Sequence, residues 1–280
     1  RAFTAAFSDA LASTMAQDDR VVACTAAMPD GTGITRILEE YPDRAWDVGI
    51  CESHAMDMMA GLAKTGFRPF FAVYSTFLQR AFDQAFQEVS LQGLAVRLCL
   101  DRAGLVGGDG AVHHGFCDIS LLRTLPNAAL LAPIDEPSLK AAVAWMADYD
   151  DGLSAVRYPR GAVTERDLGP CPPFELGRSR PLLTPEDPVA AIISYGTSGL
   201  DALEAAEALA AEGMPVEVHD GRFAAPVDFQ LLEDLARREL PVITVEDHGL
   251  PGGFGAAVAE AASDAGLPLR LRRLGIPDQW

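Results

Sequence analysis

The chain has 280 residues, 49% hydrophobic and 22% charged, which suits one large or two ordinary soluble domains with substantial cores. Its formal net charge of -18 repels phosphate backbones, which excludes nucleic acid as an expected partner, and any anionic substrate must then be met by a local cluster of arginines. Apolar runs are broken well short of a bilayer's thickness, no basic-then-apolar leader opens the chain, and the five cysteines form no CxxC pair. These features predict a cytoplasmic protein with reduced, mostly buried thiols, no membrane span and no zinc site.

Apolar residues at helical spacing predict a helix over Phe3–Met15, followed by a buried strand Val21–Cys24. The polar, glycine-rich Pro29–Gly33 leads into a helix reaching about Glu40. Strands are expected at Trp46–Ile50, Phe70–Val73, Val96–Leu100, Leu130–Leu131 and Ser154–Arg157. Helices are expected between them at Ser53–Lys64, Leu78–Val89, Ile119–Arg123 and Glu136–Met146. From about Gly161 to Asp187 the rhythm fails and prolines accumulate, as in a stiffened linker. Alternation then resumes: strand Val189–Ser194, helix Asp201–Ala211, strand Val216–His219, helix Phe229–Arg237, strand Val242–Val245, helix Gly255–Ala262 and strand Leu269–Arg272. Strands and helices alternating in this way predict an α/β protein of two parallel-sheet domains, residues 1–163 and 188–280, joined by a proline-rich linker at 164–187. Both ends look cut, so a fragment of a longer polypeptide is expected.

The residues suited to chemistry concentrate between Trp46 and Asp118, where three apolar segments each end in charged, aromatic or glycine residues. In a parallel α/β sheet such strand ends line one edge, and ligands bind there. Glu52 stands where a strand gives way to a helix. It is either a helix-capping acid or, beside Ile50, Cys51 and Met56, a carboxylate in an apolar setting that holds or passes a proton. Tyr74 and Phe77 flank the next turn and either fill core or offer a face for a flat heterocycle. Arg80 sits on the helix that follows. In DRAGLVGGDGAVHHG the glycines admit close backbone approach, Arg102 suits a phosphate, and Asp109 with His113 suits a hydroxyl and proton transfer. Arg157 and Arg160 in VRYPRG end the last strand of the first domain and are expected to add to an anion site. In EDHGLPGGFG, Asp247 and His248 are either catalytic or, as is commoner for a strand-end loop leading into a glycine-started helix, structural or interface residues.

These motifs in this order resemble the 1-deoxy-D-xylulose-5-phosphate synthase family, thiamine-diphosphate enzymes of the transketolase superfamily. DVGICESHA is similar to DVxIAEQHA, YSTFLQRAFDQ is nearly the family string, and DRAGLVGGDGAVHHG is similar to DRAGxVGxDGxTHxG. TAAMPDGTG, PNAALLAP, YPRG, EDHGLPGGFG and the terminal GIPDQW also fit. The resemblance implies a pyrimidine-binding domain followed by a transketolase-type C-terminal domain. It implies that Glu52 bonds the aminopyrimidine N1′, a catalytic role, and that Phe77 stacks on the pyrimidine with Tyr74 nearby. Arg80, Arg102 and Arg160 would hold the phosphate of glyceraldehyde 3-phosphate, with Asp109 and the catalytic His113 around its hydroxyl and aldehyde. The family decarboxylates pyruvate and adds the two-carbon unit to that aldehyde.

Cys51, Ser53, Val112, His114 and Phe116–Cys117 depart from the family pattern at positions that bear on acceptor preference. No GDG…N motif is present, so the ligands of Mg²⁺ are expected in an N-terminal diphosphate-binding domain or subunit, no metal site in this chain, and no activity from the chain alone. Homodimers follow from the same resemblance. Rival readings are a transketolase, the β subunit of a 2-oxo-acid dehydrogenase, or a non-catalytic assembly module of the same fold.

Overall fold

A computed structural model describes Arg1–Pro277; Asp278, Gln279 and Trp280, the end of the GIPDQW motif, lie outside the described residues. Twelve strands among these residues form two mixed sheets with helices on both faces. They are β1 (Val21–Thr25), β2 (Ala45–Asp47), β3 (Arg68–Tyr74), β4 (Arg97–Asp101), β5 (Ala129–Leu131), β6 (Ser154–Arg157), β7 (Arg180–Leu183), β8 (Ala190–Tyr195), β9 (Val216–Asp220), β10 (Phe223–Ala225), β11 (Val242–Gly249) and β12 (Leu271–Ile276). The first sheet runs β10-β5-β6-β4-β3-β1-β2 and the second β12-β11-β8-β9-β7. All pairings are parallel except β10 with β5 and β7 with β9. The interior strands β1, β4, β6 and β9 are buried along their whole length, as expected of a sheet covered on both faces. No helix among the described residues is long and apolar enough to cross a membrane.

Several expected elements come out differently, each for a local reason. The strand expected to reach Ile50 stops at Asp47, whose carboxylate accepts from Ala27 N at 2.7 Å and Gly49 N at 3.0 Å and turns the chain out of the sheet. The helix expected over Leu78–Val89 is instead a 3₁₀ turn at Ser75–Ala81, a short α segment at Phe82–Gln84 and a π turn at Ala85–Ser90. Tight winding followed by wide winding keeps Leu78, Ala81, Ala85 and Val89 fully buried, and such departures cluster at functional sites. β7 lies inside the segment read as a linker; Pro181 is tolerated because β7 is an edge strand that needs no full set of donors. Buried thiols are not the majority: Cys24 and Cys99 are buried, Cys171 is half-buried, and Cys51 and Cys117 are exposed in loops that lead into helices.

The two halves share a core. One apolar cluster runs from Met56, Leu98 and Leu130 to Ile193, Tyr195 and Phe254, and Tyr195 stacks on Phe254 at 5.0 Å while its hydroxyl donates to Leu130 O at 3.0 Å. At the same boundary Asp220 is fully buried, and its Oδ2 has no hydrogen bond, with Arg222 Nε 3.9 Å away. Burial pushes its carboxyl up to about 7 from 3.8. The folded protein therefore holds this proton more tightly than the unfolded chain does, and stability falls as pH rises from about 4 to about 7. Between pH 5 and pH 8 this group should contribute a loss of about 3 kcal/mol. Urea unfolding of Asp220→Asn at the two pH values is expected to show a pH dependence smaller by that amount than the wild type's.

Candidate functional site

β1 connects outward to β2, and the chain then returns to β3 on the other side of β1 before continuing to β4. The connections after β1 and β3 thus diverge, which opens a crevice at their carboxyl ends. The side chains singled out from the sequence come from the segments that follow β2, β3, β4 and β6, all parallel and all emerging at this edge.

Glu52 opens the helix Glu52–Lys64, where free N–H groups and the helix dipole favour a carboxylate, and it is only 3% exposed. Of the apolar neighbours expected around it, only Met56 is buried; Ile50 is 75% exposed and Cys51 faces solvent. The chain leaves the sheet early at Asp47, and residues 50 and 51 are left exposed to solvent rather than packed behind the carboxylate. Arg80 Nη1 donates to Glu52 Oε1 at 2.6 Å, and the Arg80 guanidinium lies 4.6 Å over the Phe77 ring. Phe77 in turn stacks on Tyr74 at 5.9 Å and meets the edge of His113 at 5.6 Å.

On the other side of Tyr74 lies Arg102, its guanidinium 4.1 Å over the ring. Gly31, in the segment after β1, makes room for this arrangement, because a Cβ there would overlap the Tyr74 hydroxyl. Arg102 Nη1 donates to Gly31 O and, at 3.0 Å, to Asp101 Oδ1. Burial pushes the Asp101 carboxyl up to about 6, against the pull of Thr4, which donates to its Oδ2 at 2.7 Å, and of Arg102. Asp109 Oδ2 forms an ion pair with Arg160, whose Nε lies 3.2 Å away, and faces Arg102 Nε at 3.6 Å; the latter atom is buried and has no hydrogen bond. His113 Nδ1 lies 2.9 Å from Asp109 O. Glu52, Arg80, Phe77, Tyr74, His113, Arg102, Asp109 and Arg160 therefore form one unbroken set of contacts: a buried acid at one end, aromatic rings in the middle and guanidinium groups at the other.

Residues 1–165 match the family pattern of the transketolase pyrimidine binding domain, and residues 182–279 that of the transketolase C-terminal domain. The chain belongs to the transketolase family. Among curated relatives it is 46% identical over 283 residues to 1-deoxy-D-xylulose-5-phosphate synthase 1 of Geobacter sulfurreducens, covering 99% of this chain and 44% of that protein. To 1-deoxy-D-xylulose-5-phosphate synthase of Anaeromyxobacter dehalogenans it is 47% identical over 284 residues, 100% of this chain and 44% of that protein. The chain thus spans less than half the length of these relatives. A solved structure described as a split gene transketolase, inactive beta4 tetramer, superposes with a TM-score of 0.89 at 31% identity, covering 99% of this chain and 89% of that one. Transketolase from Leishmania mexicana shares the fold, with a TM-score of 0.76 at 17% identity over 95% of this chain and 43% of that one.

One arginine of this transketolase-family chain departs from expectation. Arg157 does not join Arg160; it is buried, donating from Nε to Asp118 Oδ2 at 2.7 Å and from Nη2 to Asp247 O at 3.0 Å. Its guanidinium points back between the two sheets, where Tyr195 flanks it at 5.9 Å, rather than out to the crevice. His248, on the same boundary, is fully buried; burial pulls its imidazole down to about 4 and keeps it neutral 3.5 Å from Asp118. Glu246 caps the helix Phe254–Asp264, accepting from Phe254 N at 2.6 Å and Gly255 N at 2.8 Å. Sequence reasoning passed over Asp101, Gly31 and Asp118. Only Asp101, adjacent to Arg102 at a strand end, carried a local signal. Among the described residues no group of three or more His, Cys, Asp or Glu is placed to share a metal ion.

Proposed function

We propose that this chain is the pyrimidine-binding and C-terminal part of a 1-deoxy-D-xylulose-5-phosphate synthase. The complete enzyme decarboxylates pyruvate and transfers the two-carbon unit to glyceraldehyde 3-phosphate, at the entry to isoprenoid precursor, thiamine and pyridoxal biosynthesis. The observation that carries this reading is the continuous contact set from Glu52 to Arg160, which joins a buried carboxylate, two stacked rings and three arginines at one crevice.

Thiamine diphosphate fits the residues present at its pyrimidine end. Glu52 offers a buried carboxylate to a ring nitrogen, and Phe77, with Tyr74 behind it, offers a flat apolar face. When bound, the cofactor supplies the electron sink that decarboxylation of a 2-oxo acid needs. Glu52 holds a proton at the pyrimidine nitrogen, and its place at a helix N-terminus keeps the acid in one orientation. Arg80, which donates to Glu52 and is half exposed beside it, offers the acceptor phosphate a third guanidinium. Arg102 and Arg160 meet the acceptor phosphate on a protein whose net charge of -18 otherwise repels it, while Asp109 and His113 orient its hydroxyl and aldehyde. Mg²⁺ and the diphosphate belong to a further domain or subunit, and the assembly is a cytoplasmic homodimer. The inactivity of the related split-gene β tetramer supports the expectation that this chain is inactive alone.

Product formation from pyruvate and glyceraldehyde 3-phosphate by the full-length protein tests the reading; formation only from ketose donors would assign a transketolase instead. In the same assay Arg160→Met is expected to raise KM for glyceraldehyde 3-phosphate on the order of tenfold, the worth of one charge-assisted hydrogen bond, and to leave KM for pyruvate unchanged. An equal change in both would remove Arg160 from the acceptor site.

A further inference from the structure

The loop that carries Asp109 and His113 has a narrow neck. Gly104 and Gly115 close it as an antiparallel bridge, with Gly104 N donating to Gly115 O at 2.9 Å and Gly115 N to Gly104 O at 2.8 Å. Ten residues stand beyond the neck, and what fixes their direction is not supplied by the first sheet alone. Leu105, the first of them, donates its N–H to both carboxylate oxygens of Asp247, each at 3.2 Å. Asp247 belongs to β11 of the second sheet.

The fit is close enough to dictate a residue. A Cβ on Gly104 would overlap the Asp247 carboxylate, and the φ of +73° at Gly104 independently favours glycine. Asp247 is itself held from behind, because its backbone carbonyl accepts from Arg157, which is locked to Asp118. Inside the loop Val106 N donates to His114 Nδ1 at 3.1 Å, and Thr76 Oγ1 donates to Val112 O at 3.3 Å, so a loop aimed at its neck is braced along its length.

We infer that Asp247 is a positioning residue for the acceptor, a carboxylate of the C-terminal domain that fixes the loop presenting Asp109 and His113 without reaching the substrate itself. This rests on the assignment of that loop to the acceptor phosphosugar. Its hydrogen bonds go to the loop backbone, so it acts on how the acceptor is held and not on the proton transfers at Glu52. The first half of the reaction, on pyruvate, uses Glu52 and the aromatic rings, whereas the side chain of Asp247 bonds only to Leu105 N at the neck.

The test uses the full-length protein with Asp247→Ala and Asp247→Asn. The alanine variant leaves the Arg157 bond in place, because that bond uses the backbone carbonyl; the asparagine variant keeps an oxygen to accept from Leu105. Hydrogen exchange of residues 104–115 is measured beside the kinetic constants for each substrate. The expected result is faster exchange in the loop of Asp247→Ala, KM for glyceraldehyde 3-phosphate raised on the order of tenfold, KM for pyruvate unchanged, and Asp247→Asn close to wild type. Unchanged exchange in Asp247→Ala overturns the proposal, as does an equal rise in both KM values. If loop exchange rises but acceptor KM does not, His113→Ala locates the failure. Should His113→Ala raise acceptor KM, the neck does not position the acceptor. Should it leave acceptor KM unchanged, the loop is not the acceptor site, and the proposal falls together with that reading.

Discussion

Glu52→Gln in the full-length protein is expected to lower turnover by roughly 10² to 10⁴, the range that a positioned proton-transfer group contributes, while its melting temperature barely moves. The two parts of that result have separate causes. Glutamine keeps the shape of the side chain and can still point at a ring nitrogen, but it cannot hold and release a proton there. Stability changes little because both structural contributions of Glu52 are small. Its partner Arg80 is 50% exposed, so the ion pair is worth about 0–1 kcal/mol, and a carboxylate at a helix N-terminus adds about 0.3–1 kcal/mol. A helix-capping acid and a catalytic acid therefore differ in turnover and not in stability: turnover kept with a small loss of stability, or turnover lost with the same small change. Steady-state turnover, thermal melting and calorimetric titration with thiamine diphosphate, carried out on wild type and variant, separate them. Equal affinity and equal turnover would take Glu52 out of the mechanism.

The largest effect on stability is expected not in the crevice but behind it. Arg157 and Asp118 are 7% and 1% exposed at the boundary between the sheets. Arg157→Leu strands Asp118 in that interior with His248, whose neutral imidazole offers little compensation, and also deprives Asp247 O of a donor. Removing one partner of a buried pair costs about 3–5 kcal/mol, a large share of the stability of any single protein. Asp118→Leu should cost a similar amount. The double variant Asp118→Leu/Arg157→Leu should cost well under the sum of the two, because no uncompensated charge remains. Urea unfolding of the four proteins gives the coupling directly, and strict additivity would mean that the pair is not interacting as described.

The sequence made the alternating elements of both sheets legible, since apolar runs bounded by glycine, proline and charge carry their own boundaries. It singled out Glu52, Tyr74, Phe77, Arg80, Arg102, Asp109, His113 and Arg160, and the structure brings these eight into one set of contacts. What escaped was whatever depends on direction or on distant partners. Arg157 and Arg160 are three residues apart, and nothing local says that one turns inward to Asp118 while the other reaches the crevice. Early termination of β2 at Asp47 depends on the amide of Ala27, across the sheet. β7 hid among prolines, and β10 is three residues long, too short for any periodicity.

β10 has a consequence for how this polypeptide is made. It follows β9 of the second sheet, yet it hydrogen-bonds β5 and completes the rim of the first, about ninety residues after β5 leaves the ribosome. During that interval β5 presents an unpaired row of amides and carbonyls, a template for another nascent chain. The amino-terminal half, expressed by itself, would keep that open rim permanently and is expected to aggregate more readily than the whole chain.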